Sequence, residues 1–329
     1  MSTPTDSQLQ ALRASARVLR IPMRTKFRGV LEREVLLFEG SHGWAEWSPF
    51  LEYADDEAAV WLAAALDFAN NPHDELLRQS IGVNATLPAV APADVAGILG
   101  RFGAFRTVKI KVAEPGQKMA DDLARIREVR ALYPAAKIRL DANGGYSVGN
   151  AMQLGHRLTH AGIQIEYFEQ PVATVDELAK LRPTLNDLGI RVAADESIRK
   201  AADPMAVVRA EAADIVVVKA APLGGITRAL AICSEAGLPA VISSALETSV
   251  GISMGLHLAA KLPLMEYDCG LATVALLADD VCDLSLTPIE GRIEVRRVAP
   301  SDERMTRLAA NDERSSWWLD RLERCAQLL

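Results

Sequence analysis

The chain has 329 residues, half of them hydrophobic and 5% aromatic, with a net charge of −7. That length supports a large core plus a second subdomain; the negative balance argues against a basic nucleic-acid surface, and no apolar run approaches the roughly 18 residues of a membrane span. Cys233, Cys269, Cys282 and Cys325 form no CxxC pair, and the N-terminus MSTPTDSQLQALRASA lacks the layout of a signal peptide, so the expectation is a cytoplasmic protein with reduced, mostly buried thiols.

In chain order, residues 1–78 read as an α+β capping domain. RVLRIPM, REVLLFEG and GWAEWSPF are strand-like, and DDEAAVWLAAALDFAN is a helix with an acidic first turn and an apolar face. From residue 79 to 283 strands and helices alternate. The strand candidates are IGVNATL, RTVKIKV, KIRLDA, IQIEYFE, RVAADE, DIVVVKA, PAVISS and LMEYD. Helical segments lie between them, among them DVAGILGRF, MADDLARIREVRALY, NAMQLGHRLTHAG, VDELAKLRPTL, DPMAVVRAE, ITRALAICSEAG and ISMGLHLAAKL. His156 and His160 are four apart on one of these helices, but without the Glu of HExxH they read as an exposed face. Eight strands in strict alternation predict an α/β architecture. The remaining segment, 284–329, holds GRIEVRRV and the amphipathic SSWWLDRLERCAQLL. It is expected to pack back on the cap or barrel, with a subunit contact through Trp317 and Trp318 as the alternative; the oligomeric state is left open.

Charged residues end the apolar runs: Lys109 and Lys111, then Asp141, Glu169, Asp195 with Glu196, and Lys219. A charge at the end of a buried strand is costly unless it is paired, bound to metal or open to a cleft. The ladder from Lys111 through Asp141, Glu169, Asp195 and Lys219 to Ser243 advances in steps of 24 to 30 residues, about one strand–helix–strand unit each. Functional groups at every strand end favour a (β/α)8-type TIM barrel, whose site lies at the carboxyl ends of the strands, over an open doubly wound sheet with one switch point.

Asp141, Glu169 and Asp195 suit a hard divalent ion, Mg²⁺ rather than Ca²⁺, with Mn²⁺ as an alternative. Lys109 and Lys111 alternate with Val108, Ile110 and Val112 and therefore share one face of their strand. Two ammonium groups that close lower one another's pKa and prepare a general base, and Lys219 would face them across the mouth. The set suits removal of a proton alpha to the carboxylate of a small-molecule substrate. Arg139, two residues before Asp141, would pair with the carboxylates or meet an anionic substrate. Ser243 and Ser244 precede a helix whose N-terminus offers a carboxylate site, and capping by Thr248 or Ser249 competes with that reading. Gly224-Gly225 reads as a tight turn into a helix.

KIK, DANGGYS, EQP, ADES and the lysine of VVVKAAPLGG resemble the strand-end motifs of the enolase superfamily, in its muconate lactonizing enzyme subgroup. IPMRTKFRGVLEREVLLFEG, followed by GWAEWSPF, is similar to the o-succinylbenzoate synthase family of menaquinone biosynthesis, actinobacterial type. The resemblance implies a syn dehydration of 2-succinyl-6-hydroxy-2,4-cyclohexadiene-1-carboxylate through an enediolate. Lys111 would be base and then acid, Lys219 a protonated electrostatic partner, and Lys109 a neighbour that sets the pKa of Lys111. Asp141, Glu169 and Asp195 would hold the metal, oriented by Asn143 and Glu196. A cap loop would close over the mouth, bringing Arg24 and Phe27 to the ligand; Arg28 would lie there too or in a cap ion pair. An N-succinylamino acid racemase or dipeptide epimerase would use the same two lysines. A binding protein on a dead barrel and a Schiff-base aldolase through Lys219 are more distant alternatives.

Overall fold

The computed structural model describes residues 6–27, 29–200 and 203–329; Arg28 lies outside them. Three strands, β1 (Arg17–Phe27), β2 (Val30–Gly40) and β3 (Gly43–Trp47), form an antiparallel sheet in that order. The helix Asp55–Asn70 covers it, burying Trp61, Leu62, Ala65 and Phe68. Its acidic first turn, Asp55 to Glu57, complements the positive end of the helix dipole. Both faces of β2 are covered, so Val35 through Phe38 are all buried, which is why REVLLFEG does not alternate.

The second layer starts with β4 (Ser80–Gly82) and β5 (Ala85–Leu87). It continues through β6 (Thr107–Lys111), β7 (Lys137–Asp141), β8 (Ile165–Glu169), β9 (Arg191–Ala194), β10 (Ile215–Val218) and β11 (Ala240–Ile242). The strands β5 to β11 make a curled, parallel, seven-stranded sheet in chain order. Thr174 and Glu177 cap the helix after β8 in a reciprocal box, and Ser147 caps the helix after β7.

The predicted eighth strand, LMEYD at 264–268, is irregular. The sheet's two edges are instead joined through single parallel bridges, Ser243 to Gly270 and Val83 to Cys269. Asp268 is otherwise engaged: its carboxylate accepts from Arg106 and Thr107, and its carbonyl accepts from Arg139 at 2.6 Å. The helix predicted over DPMAVVRAE likewise shrinks to Ala206–Arg209.

Past the barrel, β12 (Arg292–Glu294) pairs antiparallel with β4. The helix Asp312–Ala326 lies on the cap, where Trp318 packs edge-on against Trp47 with ring centroids 5.3 Å apart. Trp318 Nε1 also donates to Glu34 of β2 at 2.7 Å. Trp318 is thereby buried against the cap.

Candidate active site

The parallel register sets the site. Lys111, Asp141 and Glu169 are partners on one rung across β6, β7 and β8; Lys109, Arg139 and Tyr167 form the rung two residues back, about 7 Å deeper. Asp195 follows β9, Lys219 follows β10 and Ser243 follows β11, where its N–H donates to the carbonyl of Val218. Lys109, Lys111, Asp141, Asn143, Lys219, Ser243 and Ser244 line one narrow cleft of about 30 Å³, together with Phe27 and Phe50 of the cap region.

All three lysines and all three carboxylates are buried, so each charge must find a partner. Lys109 Nζ lies 2.9 Å from Glu169 and 3.0 Å from Asp141. Lys111 Nζ donates to Asp141 at 2.6 Å and to Asn143 Oδ1 at 2.5 Å, and sits 5.2 Å from the centre of the Phe27 ring. Lys219 is paired with Asp195, whose other oxygen accepts from Arg199 at 3.2 Å. Arg199 and Asn143 both donate to Glu196, at 2.6 and 3.1 Å.

The two lysines of KIK consequently diverge. Burial lowers Lys109, but Asp141 and Glu169 on either side carry it well above its ordinary value. For Lys111 burial is again the largest effect, Asp141 opposes it and Lys109 reinforces it, leaving this amine below its ordinary value. Burial and Asp141 push Glu169 up to about 7. Burial opposes ionisation of Asp195, yet Lys219 and Arg199 hold it down at about 2.

Three expectations are corrected. Arg139 is fully buried inside the barrel floor, bonded to Glu166 at 2.6 Å, to Asn84 at 3.1 Å and to the Asp268 carbonyl, with Tyr167 stacked 4.7 Å away. With its guanidinium committed to Glu166, Asn84 and the Asp268 carbonyl, it meets neither the strand-end carboxylates nor the cleft. Arg24 turns away from the cleft and donates to the carbonyls of Leu277 and Ala278 at 2.8 and 3.0 Å, a tie from β1 to the barrel. The helix Ser249–Lys261 offers no free N-terminal amides at its first positions. Glu46 accepts from the N–H groups of Thr248 and Gly251, and Asp280 from that of Ser249. Thr248 also caps Val250. Ser244 is bonded to Thr273 at 2.7 Å, whereas Ser243 borders the cleft beside Gly270.

Other residues join the site without having been singled out. Thr86 lines the cleft as the partner of Lys109 across β5 and β6; a hydroxyl in the run ATL was its signal. Gln170 takes the N–H groups of Asp195 and Ser197 at 3.1 and 3.2 Å, fixing the end of β9. Arg199, four residues after Asp195, was legible as a helical pair. Leu246 and Thr273 carried no signal.

The backbone is also unusual here. Ala113, Asn143, Gln170 and Leu246 have positive φ (59°, 46°, 35° and 65°), each just past a strand end of the site. Such conformations cost of order 1–3 kcal/mol and persist where surroundings over-determine them. Gly224 and Gly225, with φ of 84° and 111°, make the turn from Lys219 into the next helix.

Asp141, Glu169 and Asp195 offer only hard oxygen donors, from three successive strand ends, buried and crowded enough to hold Glu169 at about 7. This donor chemistry fits a divalent cation of the Mg²⁺ kind. Among the described residues no acidic, His or Cys group is closed into a ready-made cage, and lysine ammonium groups lie against Asp141, Glu169 and Asp195.

Residues 18–69 match the model of the enolase N-terminal domain-like family and residues 93–300 that of the enolase C-terminal domain-like family. The chain is 48% identical to an o-succinylbenzoate synthase of Mycobacterium ulcerans, covering 99% of this chain and 98% of that one. It is 48% identical to one of Mycolicibacterium smegmatis, covering 95% of each. Among solved structures, muconate lactonizing enzyme from Pseudomonas fluorescens superposes with a TM-score of 0.76 at 18% identity, over 90% of this chain and 98% of that one. The L-Ala-D/L-Glu epimerase of Bacillus subtilis superposes with a TM-score of 0.71 at 25% identity, over 87% and 96%.

Proposed function

The chain belongs to the o-succinylbenzoate synthases of the enolase superfamily, and we propose that it performs a syn dehydration of 2-succinyl-6-hydroxy-2,4-cyclohexadiene-1-carboxylate with Lys111 as both base and acid. It is an enzyme, a carbon–oxygen lyase that serves menaquinone biosynthesis. The observation that carries the mechanism is the place of Lys111: at the cleft, 5.2 Å from the centre of the Phe27 ring and beside Lys109, whose ammonium together with burial holds it below its ordinary value.

Lys111 removes the proton alpha to the ring carboxylate, and the bonding electrons pass into that carboxylate as an enediolate. When these collapse, the ring C–O bond breaks and the same ammonium delivers its proton to the departing hydroxyl, so water leaves from the face on which the base sits. Lys219, across the cleft and paired with Asp195, offers its ammonium group to the enediolate. Lys109 remains charged between Asp141 and Glu169 and raises the cost of protonating Lys111. Asp141, Glu169 and Asp195 would hold a divalent cation, Mg²⁺ in our reading, which when bound would supply electrostatic stabilisation of the negative charge that develops on the substrate carboxylate. Asn143 and Arg199 steer Lys111 and Asp195 from behind. Phe27 borders both the cleft and the adjoining groove of about 500 Å³, and the succinylated ring would extend from one toward the other.

Opposed lysines also permit a two-base exchange on an N-succinylamino acid or dipeptide, and the fold shared with the Bacillus subtilis epimerase supports this second reading. Incubating the protein in D₂O with the cyclohexadiene or with N-succinylamino acids separates the two by NMR. Dehydration of the diene at a rate far above alpha-carbon exchange is expected; exchange without dehydration would select the racemase. No helix among the described residues is long and apolar enough to cross a membrane, and we place the reaction in the cytoplasm. We retain the division into cap (1–78), barrel (79–283) and C-terminal segment (284–329).

A further inference from the structure

The loop that follows β11, Ser243 to Leu246, forms the wall of the cleft next to Lys219. Its first half is tied to the barrel, by the Ser243–Gly270 bridge, by Ser244 N–H to the carbonyl of Gly270 at 3.1 Å and by Ser244 Oγ to Thr273 at 2.7 Å; its second half, Ala245 and Leu246, has no regular structure and a leucine with a φ of 65°. What holds the second half comes from the cap. Arg33 of β2, 2% exposed, reaches over and donates from Nε to the carbonyl of Leu246 at 3.2 Å, while Nη2 bonds to the carbonyl of Ser48. Glu46 of β3, 4% exposed, meets the far end of the same loop. One of its oxygens accepts from Thr248 N at 3.0 Å, Thr248 Oγ1 at 2.5 Å and Gly251 N at 3.2 Å; the other accepts from Ser48 Oγ at 2.7 Å. The loop's own Glu247 accepts from Ala245 N at 2.5 Å, closing the turn.

Two buried charges of opposite sign, from neighbouring cap strands, thus hold the second half of a strained loop that lines the cleft. Placing them there is costly, and simple docking of cap on barrel would be served as well by apolar packing. We propose that Arg33 and Glu46 are positioning residues which clamp the loop segment Ala245–Thr248 from the cap, and so set how tightly the cleft holds the substrate. This rests on the function proposed above; its own geometric content does not.

Glu46→Ala, Glu46→Gln, Arg33→Lys and Thr248→Val separate clamping from mere folding. Glutamine can give its oxygen to Thr248 and Gly251 and its amide to the Ser48 hydroxyl, which reverses to accept; alanine can do neither. Two readouts are required: amide hydrogen exchange of peptides spanning 243–251, and binding of o-succinylbenzoate in the presence of Mg²⁺, with KM and kcat for the diene. The expectation for Glu46→Ala and Arg33→Lys is faster exchange confined to this loop. Kd and KM should rise about tenfold or more while kcat stays within about threefold, the scale of one or two lost buried hydrogen bonds. Glu46→Gln should restore most of the effect. Thr248→Val, which leaves both cap charges in place, should show a smaller change of the same kind and serves if Glu46→Ala does not fold. Unchanged loop exchange in these variants, or a lowered melting temperature with wild-type Kd and KM, would overturn the clamp. If the wild type neither binds o-succinylbenzoate nor consumes the diene, the proposed function fails instead, and the exchange measurement still decides whether Arg33 and Glu46 hold the loop.

Discussion

Lys111 and Lys219 both sit at strand ends against buried aspartates, yet only Lys111 is crowded by a second ammonium and covered by an aromatic ring. That difference assigns the proton transfers. Lys111→Ala is expected to lower kcat by about 10³-fold or more, within the range for loss of a general base that also serves as the acid, while circular dichroism and cation binding stay as in the wild type. Asp195→Asn behaves differently: Lys219 and Arg199 lose their charged partner, so cation affinity, measured by calorimetry, and turnover fall together. The functional residues were legible because a charge closing an apolar strand is expensive and recurs here at the strand repeat. Arg139 misled for the same reason. It satisfies the pattern, but its guanidinium is claimed by Glu166, Asn84 and the Asp268 carbonyl, the last two more than 50 positions away, and spacing along the chain does not reveal such partners. Arg24 and the occupied helix N-terminus depend on contacts between residues more than 200 positions apart, Arg24 with Leu277 and Glu46 with Thr248, and no local pattern announces these.

At the scale of elements, the strands with long apolar runs were readable, and the closing strand was not, since Cys269 and Gly270 supply only single bridges. The cap strands hold a titratable device with a definite sign. Burial and the nearby Glu247 raise Glu46 to about 7 against an ordinary 4.5, even though Ser48 and Thr248 pull it back. The folded chain then binds more protons than the unfolded chain between about pH 4.5 and 7, so this group lowers stability as pH rises through that window, by up to about 3 kcal/mol. Glu46→Gln removes the effect. Its thermal stability relative to the wild type should increase between pH 5 and pH 8; a difference independent of pH would mean that Glu46 is already ionised at the lower end.

The molecule as a whole is a cap, a curled sheet and a C-terminal helix that returns to the cap. Trp318, fully buried between Trp47 and Glu34, anchors that return. Trp318→Ala should cost about 3–5 kcal/mol in urea unfolding, as large-to-small core changes do, with kcat of the folded protein little altered because no residue of this helix lines the cleft. The fold was largely visible in the sequence as alternation and motif, whereas the way the cap reaches the catalytic loops became visible only in three dimensions. The most direct test of the chemistry is the loss of diene absorbance on freshly prepared 2-succinyl-6-hydroxy-2,4-cyclohexadiene-1-carboxylate, followed with Mg²⁺, with EDTA, and with Mg²⁺ restored. Rapid loss that EDTA stops and Mg²⁺ recovers is the predicted result; folded protein that leaves the diene unchanged, or consumes it equally well in EDTA, would contradict the account.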